Sequence, residues 1–300
     1  MAFDLNNFVI DRIVRGVATD MKTGDVLFSI NQITNPSLSC TSESTDAVDA
    51  LNVPIATFYR AKTAEFSAEN ALFDMNLLAT QTGTKKNVAS STNKIAVPCF
   101  ETIEIKAPTD GDTVSLKLSH TPLATAGHYV KVYVLKGDGT LGDKVDTTED
   151  AKAPNGRSVY VRDGRTLTVA YTTTDDDNNG IGDSGFMAGE QLFIMYDYEA
   201  DGAAETTDGN KVTEKARGAV EVVNSATKFP VGCKFIMEIL GADVCNQTDL
   251  IYAYLIFPNC KLSPDFDWSI ATDSTHPFSM KAMQEYCDKQ KRLFSIIIPE

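Results

Sequence analysis

The chain has 300 residues, with 41 acidic and 27 basic side chains, so its formal net charge is −14. Apolar residues make up 43% and charged residues 23%, a globular composition that excludes disordered, collagen-like and coiled-coil proteins. The longest apolar run, 250–257, is far shorter than the ~20 residues of a spanning helix, and the N-terminal residues lack a secretory signal pattern. Because an acidic surface repels phosphate, specific binding of nucleic acid is not expected.

The N-terminal region predicts a long, polar β-hairpin. A strand is expected over 25–33, followed by an extended segment over 36–47 in which Ser and Thr recur on both faces. After a turn, a return strand is expected over 55–65. Polar residues on both faces fit a strand that faces water on one side and another subunit on the other. An ordinary solvated edge hairpin is the alternative.

Two short helices and a terminal strand are also predicted. Residues 68–79 have apolar side chains at helical spacing, with Ser67 as N-cap. A second helix is expected over 279–289, with Ser279 as N-cap. The run LFSIII at 293–298 predicts a buried strand close to the C-terminus.

The middle of the chain predicts a separate domain. Residues 101–225 contain 22 of the acidic and 12 of the basic side chains. Repeated turn signals between short apolar runs indicate a β-sandwich. We therefore predict an acidic, inserted domain over 105–225 and a discontinuous domain over 1–104 and 226–300. The short strands expected in the insertion are 114–118, 129–135, 166–171 and 191–196.

One glycine motif could indicate a dinucleotide site. The sequence GDGTLG at 137–142 fits GxGxxG and follows a predicted strand. The next residues, 143–154, have no apolar stripe and end in Pro, so no helix N-terminus is available for a pyrophosphate. The motif is therefore interpreted as a hairpin turn.

An acidic loop offers the only metal candidate. Asp175, Asp177, Asn179 and Asp183, with a Gly at 180, fit the first nine positions of a calcium loop. The bidentate Glu of the twelfth position is replaced by Phe186. A weak calcium site and a plain solvated loop both remain open, and no cofactor is required.

No catalytic motif is recognisable, so the protein is not expected to be an enzyme. The three histidines are expected on the surface or in turns. The cysteines have no zinc-site spacing and are expected to be isolated buried thiols. These residues are His120, His128, His276, Cys40, Cys99, Cys233, Cys245, Cys260 and Cys287.

Both ends of the chain resemble the major tail tube proteins of tailed bacteriophages. The resemblance rests on the Ser/Thr-rich hairpin at 37–65 with its following helix, and on the C-terminal stretch from PNCKLSPDFDW to LFSIIIPE. It covers roughly residues 1–104 and 226–300 and carries no signature motif. It implies a mainly β fold, a tail-tube-like β-sandwich or barrel with a long hairpin and flanking short helices, to which an inserted immunoglobulin-like domain is added.

The resemblance also implies a function. Subunits of this family form rings, usually hexameric, that stack into a tube through which the genome passes without specific binding. Expected partners are further copies of the chain and other tail or head proteins, and the expected location is the virion, after assembly in the host cytoplasm. The alternatives are a capsid decoration or fibre protein of a phage, or a non-viral, calcium-assisted β-rich binding protein.

Overall fold

The structure is a computed structural model that describes residues 7–123, 130–148, 156–175, 182, 184–209, 211–244, 246–284 and 291–299. The chain divides into two units. Unit 1 comprises residues 1–86 and 222–300, and unit 2 comprises residues 87–221. Each unit has its own cluster of buried apolar side chains.

Strands dominate the described residues, as the mainly β fold class predicted. The elements of unit 1 are β1 Phe8–Asp20, β2 Val26–Ile30, β3 Ile33–Val48, β4 Pro54–Asn70, α1 Met75–Gln81, β16 Gly232–Asp243, β17 Asn246–Leu262, β18 His276–Ala282 and β19 Ser295–Ile297. The elements of unit 2 are β5 Asn87–Val88, β6 Ile95–Glu104, β7 Thr113–Lys117, β8 Lys131–Leu135, β9 Leu141–Thr148, β10 Ser158–Asp163, β11 Thr166–Ala170, β12 Gln191–Ala200, β13 Thr206–Asp208, β14 Lys211–Glu214 and β15 Val220–Glu221.

Unit 1 is built on one strongly curved sheet. Its strand order is β2-β1-β16-β17-β18-β4-β3, and β19 pairs with β17. The rings of Phe66 on β4 and Phe235 on β16 lie 5.9 Å apart, although two strands separate them in the sheet. Three strand spacings in a flat sheet would be about 14 Å. The sheet therefore curls around its apolar face, and its two edge strands are joined by only two residues, 31 and 32.

The helix of unit 1 begins later than predicted. Residues 68–70 belong to β4, where Ala68 and Asn70 are buried and pair with β18. Asp74 is the N-cap of α1, and its carboxylate accepts a hydrogen bond from the Leu77 N–H at 2.7 Å. Ser67 lies in the strand and caps nothing. The predicted spacing failed at its start because the alternation of buried Ala68 and Asn70 around Glu69 fits a strand with one buried face.

The predicted helix at 279–289 is wrong over its first residues. Ser279 lies in β18, where burial alternates with period two and Phe278, Met280 and Ala282 face the core. Residues 285–290 lie outside the described residues. The terminal strand β19 exists, but Ile296 and Ile297 are 60% and 50% exposed, so it is not the buried strand that the sequence predicted.

Unit 2 contains a seven-stranded sheet in the order β6-β12-β8-β9-β10-β11-β7. Among the named strands of the described residues, only β9 and β10 pair in parallel. Side chains from strands near both ends of the sheet, such as Leu167 on β11 and Ile194 on β12, are fully buried in one cluster, so the sheet covers its own apolar face. Strand β6 belongs to this unit, whereas the sequence placed residues up to 104 in the first domain.

The two ends of unit 2 lie side by side. Asn87 of β5 and Glu221 of β15 are direct partners in a short antiparallel ladder. Paired residues of such a ladder have Cα atoms about 5 Å apart. Unit 2 therefore leaves and rejoins the rest of the chain at neighbouring points, the arrangement that an inserted domain requires.

Candidate assembly surface

The hairpin formed by β3 and β4 is confirmed. Its register runs from Ile33 opposite Asn70 to Val48 opposite Pro54. Residues 34–62 are all exposed, 29 consecutive positions, and we call this segment the ribbon. Burial returns only at its base, where Ala64, Phe66 and Ala68 face the core. The ribbon therefore presents both of its faces to its surroundings, as its Ser and Thr pattern indicated.

Both edges of the ribbon are available for pairing in the described part of the chain. Strand β3 is the last strand of the sheet. On the other side, β18 pairs with β4 only from Glu65 to Asn70. An isolated two-stranded hairpin is marginally stable in water, and unpaired edges are templates for other chains.

The register of the hairpin shifts at three points, and a residue with a positive φ angle lies at two of them. Asn35 and Ala61 have φ values of 49° and 48°, and the register shifts next to each of them. Such bulges add twist and bend the strand that carries them. They divide the ribbon into a basal, a middle and a distal part, and none of this was predicted from the sequence.

The end of the ribbon is apolar. We call residues 46–57 the tip. The carboxylate of Asp49 accepts hydrogen bonds from the N–H groups of Leu51 and Val53, at 2.8 and 2.9 Å, and thereby fixes the turn. Leu51 is 83% and Ile55 71% exposed. A rigid, exposed apolar turn at the end of a polar ribbon is typical of a contact surface for another protein.

The glycine motif forms a turn, as predicted. The N–H of Gly139 donates to the carbonyl of Lys136, and the N–H of Lys136 donates to the carbonyl of Thr140, both at 2.9 Å. These bonds join the antiparallel strands β8 and β9. Gly139 has a φ of +81°, a conformation that glycine adopts without strain.

The calcium prediction lies almost entirely outside the described residues. Of the four predicted ligands, only Asp175 lies within the described residues, where it already has an interaction partner; Asp177, Asn179 and Asp183 are not described. Among the described residues, no cluster of His, Cys, Asp and Glu side chains has the geometry of a metal site. Calcium binding by this loop stays a prediction.

Both described histidines are buried, but the prediction of a surface or turn position is wrong only for His276, which lies in β18, because His120 lies in a bend after β7. His276 is 1% exposed, and its Nε2 lies 2.8 Å from Oε1 of Gln81, whose Nε2 donates to the carbonyl of Pro277 at 3.0 Å. Since the amide oxygen faces the ring, Nε2 of His276 carries the proton. Burial lowers the pKa of this imidazole. His120, at 6% exposure, stacks on Tyr198 at 3.9 Å; His128 lies outside the described residues.

A buried polar cluster in unit 2 was not predicted. The hydroxyl of Tyr196 donates to the carboxylate of Glu101 and accepts from the N–H of His120 at 3.1 Å. The same carboxylate accepts from the N–H of Ser119 at 2.9 Å. Burial, and then the bond to Glu101, raise the pKa of Tyr196. The cluster ties β6, β12 and the residues after β7 together and therefore stabilises the sheet.

The cysteines follow the prediction only in part. Cys233 and Cys260 are fully buried free thiols, but they are neighbours rather than isolated residues. Their Sγ atoms lie 3.6 Å apart across the adjacent strands β16 and β17. Cys40 is exposed on the ribbon and Cys99 is half-buried. Cys245 and Cys287 lie outside the described residues.

Comparison with known families identifies the chain's relatives. The YomU/Tube protein family matches residues 8–296, which include both units. No curated protein matches the chain. Within the described residues, no helix combines the length and the hydropathy that crossing a membrane demands. A match over nearly the whole chain, together with the mainly β fold and the exposed ribbon, shows that the chain belongs to the YomU/Tube protein family, a family of phage tail tube structural proteins.

Proposed function

We propose that the protein is the subunit of a stacked-ring phage tail tube that conducts the genome. The rings would contain six copies, as the resemblance to major tail tube proteins implies. Copies would assemble in the host cytoplasm, and the finished tube would join other tail and head proteins of the virion. Membership of the tube family supports the structural role, and the ribbon supports the mode of assembly.

The observation that carries the proposal is the ribbon. Its 29 residues are exposed on both faces, and β18 supports only its base, up to Glu65. Such a hairpin gains stability only when something packs against it. A second copy of the same chain supplies that support in every subunit of a ring, because each copy both offers a ribbon and receives one.

Charge supports passage of the genome without binding. The formal net charge is −14 per copy, and a tube multiplies that charge along its length. A negative wall repels the phosphates of DNA and offers few cations for counterion release. Conduction needs neither catalysis nor a cofactor, so the proposed role is structural.

Unit 2 is proposed to be an inserted, immunoglobulin-like β-sandwich domain. Its adjacent ends at Asn87 and Glu221 support an insertion, and its separate core supports independent folding. Residues 87–221 carry 22 acidic and 13 basic side chains, a net charge of −9. The more acidic unit is therefore also the self-contained one.

The test is removal of the ribbon. Replacing residues 42–62 by Asn-Gly joins Thr41 to Thr63, which are direct partners in the register, through a two-residue turn that hairpins favour. The native chain is expected to form rings or tubes when concentrated, and the shortened chain is expected to stay a folded monomer. Negative-stain microscopy and sedimentation measure both. A shortened chain that still forms rings would contradict the role of the ribbon.

A further inference from the structure

A groove lies on the outer face of unit 1, at the base of the ribbon. Its floor is a row of small side chains on neighbouring strands. Ser37 pairs with Ser67, Ser67 pairs with Ser279, and the N–H of Ser263 donates to the carbonyl of Ser279 at 2.8 Å. Because serine side chains are small, they leave a depression on this face of the sheet, and the resulting groove has a volume of about 470 Å³. Protein pockets of ~300–1,000 Å³ commonly hold small ligands or a few side chains.

An apolar rim borders the serine floor. Phe229, which is 62% exposed, and Pro230 line one side, and Met283 also contributes. Gly83 holds the Phe229 segment close, because a Cβ at that position would lie 2.2 Å from the Phe229 carbonyl oxygen. The segment that forms the rim is therefore closely packed against the residue stretch that follows α1.

The charged residues of the groove are mostly basic. In the strand register, Lys281 of β18 lies opposite Lys261 of β17 on one side and opposite Glu65 of β4 on the other. The Nζ atom of Lys281 lies 3.4 Å from a carboxylate oxygen of Glu65, and both side chains are about 60% exposed. Two lysines and one glutamate give this site a positive balance on a chain whose net charge is −14.

We propose that the tip of the ribbon on one copy docks into this groove on the next copy. The inference rests on the proposed function and adds the receiving site. The tip supplies the exposed aliphatic side chains of Leu51 and Ile55 for the apolar rim. It also contains Asp46 and Asp49 and no basic residue, which complements the two lysines.

The groove belongs to a different copy from the tip that fills it. Glu65, at the base of the ribbon, is the first residue of β4 that pairs with β18, and Pro54 begins β4, so the two are 11 residues apart. At ~3.3 Å per residue, the ribbon extends about 35 Å beyond its base. Its own groove lies at that base and is out of reach. Contacts between unlike surfaces of identical copies propagate head to tail, as rings or open stacks.

The test uses two variants, each of which damages one half of the contact. Leu51→Asp with Ile55→Asp removes the apolar tip but keeps the groove. Ser279→Tyr fills the groove but keeps the tip. Each variant alone is expected to stay monomeric. An equimolar mixture is expected to form 1:1 dimers that grow no further, because each pair has one intact tip and one intact groove. Light scattering after size-exclusion chromatography measures the masses.

The outcomes separate this inference from the proposed function. If the tip variant stays monomeric while Ser279→Tyr assembles alone, the tip binds elsewhere and only the inference is overturned. If the tip variant assembles alone, the inference is overturned, while the role of the ribbon is decided separately by the chain in which residues 42–62 are replaced. A mixture without dimers also overturns the inference. The matched control, Ser29→Tyr at an exposed serine of β2, is expected to assemble as the native chain does.

A charge-reversed double variant tests the groove independently of whether Ser279→Tyr folds. Lys261→Glu with Lys281→Glu leaves the serine floor intact and is expected to raise the concentration needed for assembly by about tenfold, the effect of losing a complementary charge contact. Adding Asp46→Lys to this variant is expected to restore much of the loss. Unchanged assembly of the charge-reversed variant would count against the groove.

Discussion

The two units differ in how they expose apolar side chains. Among the described residues, 27 large hydrophobic side chains are exposed, and 22 of them lie in unit 1. Unit 2 has five, each on a different strand or bordering a turn. By charge, the order reverses: unit 1 carries a net −5 and unit 2 a net −9. Unit 1 therefore has the apolar exposure typical of surfaces that bind other proteins, whereas unit 2 has the polar surface typical of a solvated domain.

Separating the units tests this comparison most directly and has the largest expected effect. Replacing residues 87–221 by Gly-Ser-Gly is possible because Asn87 and Glu221 are neighbours. Unit 1 alone is expected to keep the ability to assemble, and the isolated fragment 87–221 is expected to fold as a monomer. Sedimentation of both, and the dispersion of amide signals in the fragment's NMR spectrum, measure this. Assembly that follows unit 2 would reverse the comparison.

The interior of unit 2 provides the next largest effect. Arg157 binds both carboxylate oxygens of Glu190, at 3.2 and 2.7 Å, and Glu190 also accepts from the N–H groups of Gly182 and Met187. The Glu190 side chain is only 7% exposed. Glu190→Ala leaves the guanidinium half-buried without this partner and is expected to lower the free energy of unfolding by about 3 kcal/mol.

An exposed ion pair of the same unit is the matched control. Lys94 and Glu199 lie 2.6 Å apart, but their side chains are about half exposed. Glu199→Ala is expected to change the free energy of unfolding far less than Glu190→Ala, because water and salt screen an exposed ion pair. Urea denaturation of the isolated fragment compares the two variants, and assembly of the full chain is expected to be unchanged in both. Equal losses of unfolding free energy in the two variants would mean that the hydrogen bonds from Glu190 to Gly182 and Met187 do not stabilise unit 2.

Calcium gives a smaller effect in the same unit. If Asp175, Asp177, Asn179 and Asp183 bind calcium, the missing bidentate Glu predicts a weak affinity of ~0.1–1 mM. At ~10 mM calcium and ~1 mM affinity, the native state gains about 1.4 kcal/mol. The melting temperature is then expected to rise more with calcium than with magnesium, and Asp177→Ala is expected to abolish the rise. Identical melting curves in calcium and in chelator would leave a plain loop.

The stability of unit 1 is expected to depend on pH through a buried histidine, and only under acid conditions. Burial lowers the pKa of His276 below its ordinary value of about 6.5, and Asp74 opposes this shift. The unfolded chain therefore binds a proton at higher pH than the native chain, so stability is lost as the pH falls below about 6.5. His276→Gln stays neutral and is expected to lose less stability between pH 7.5 and 5.5. Equal losses in denaturation curves would exclude His276.

The sequence predicted the ribbon but not what surrounds it. Alternating Ser and Thr along one extended segment is a local signal, so the hairpin could be found without knowing the fold. The groove is not local, because Ser37, Ser67 and Ser279 become neighbours only through the pairing of three strands. For the same reason, the burial of His276 depends on Gln81, almost two hundred residues away, and its turn-like sequence suggested the surface instead.

Before a subunit joins others, its long edge strand is a hazard. A flat edge of 16 residues invites uncontrolled stacking of strands into amyloid-like aggregates. Pro36 removes one backbone donor from that edge, the bulges near Asn35 and Ala61 twist it, and Glu43 and Asp46 place charge along it. These features help the unassembled chain to remain in solution without aggregating. Indiscriminate growth of strand ladders along this edge is thereby slowed, so pairing of the ribbon with another copy depends on side chains as well as on backbone groups.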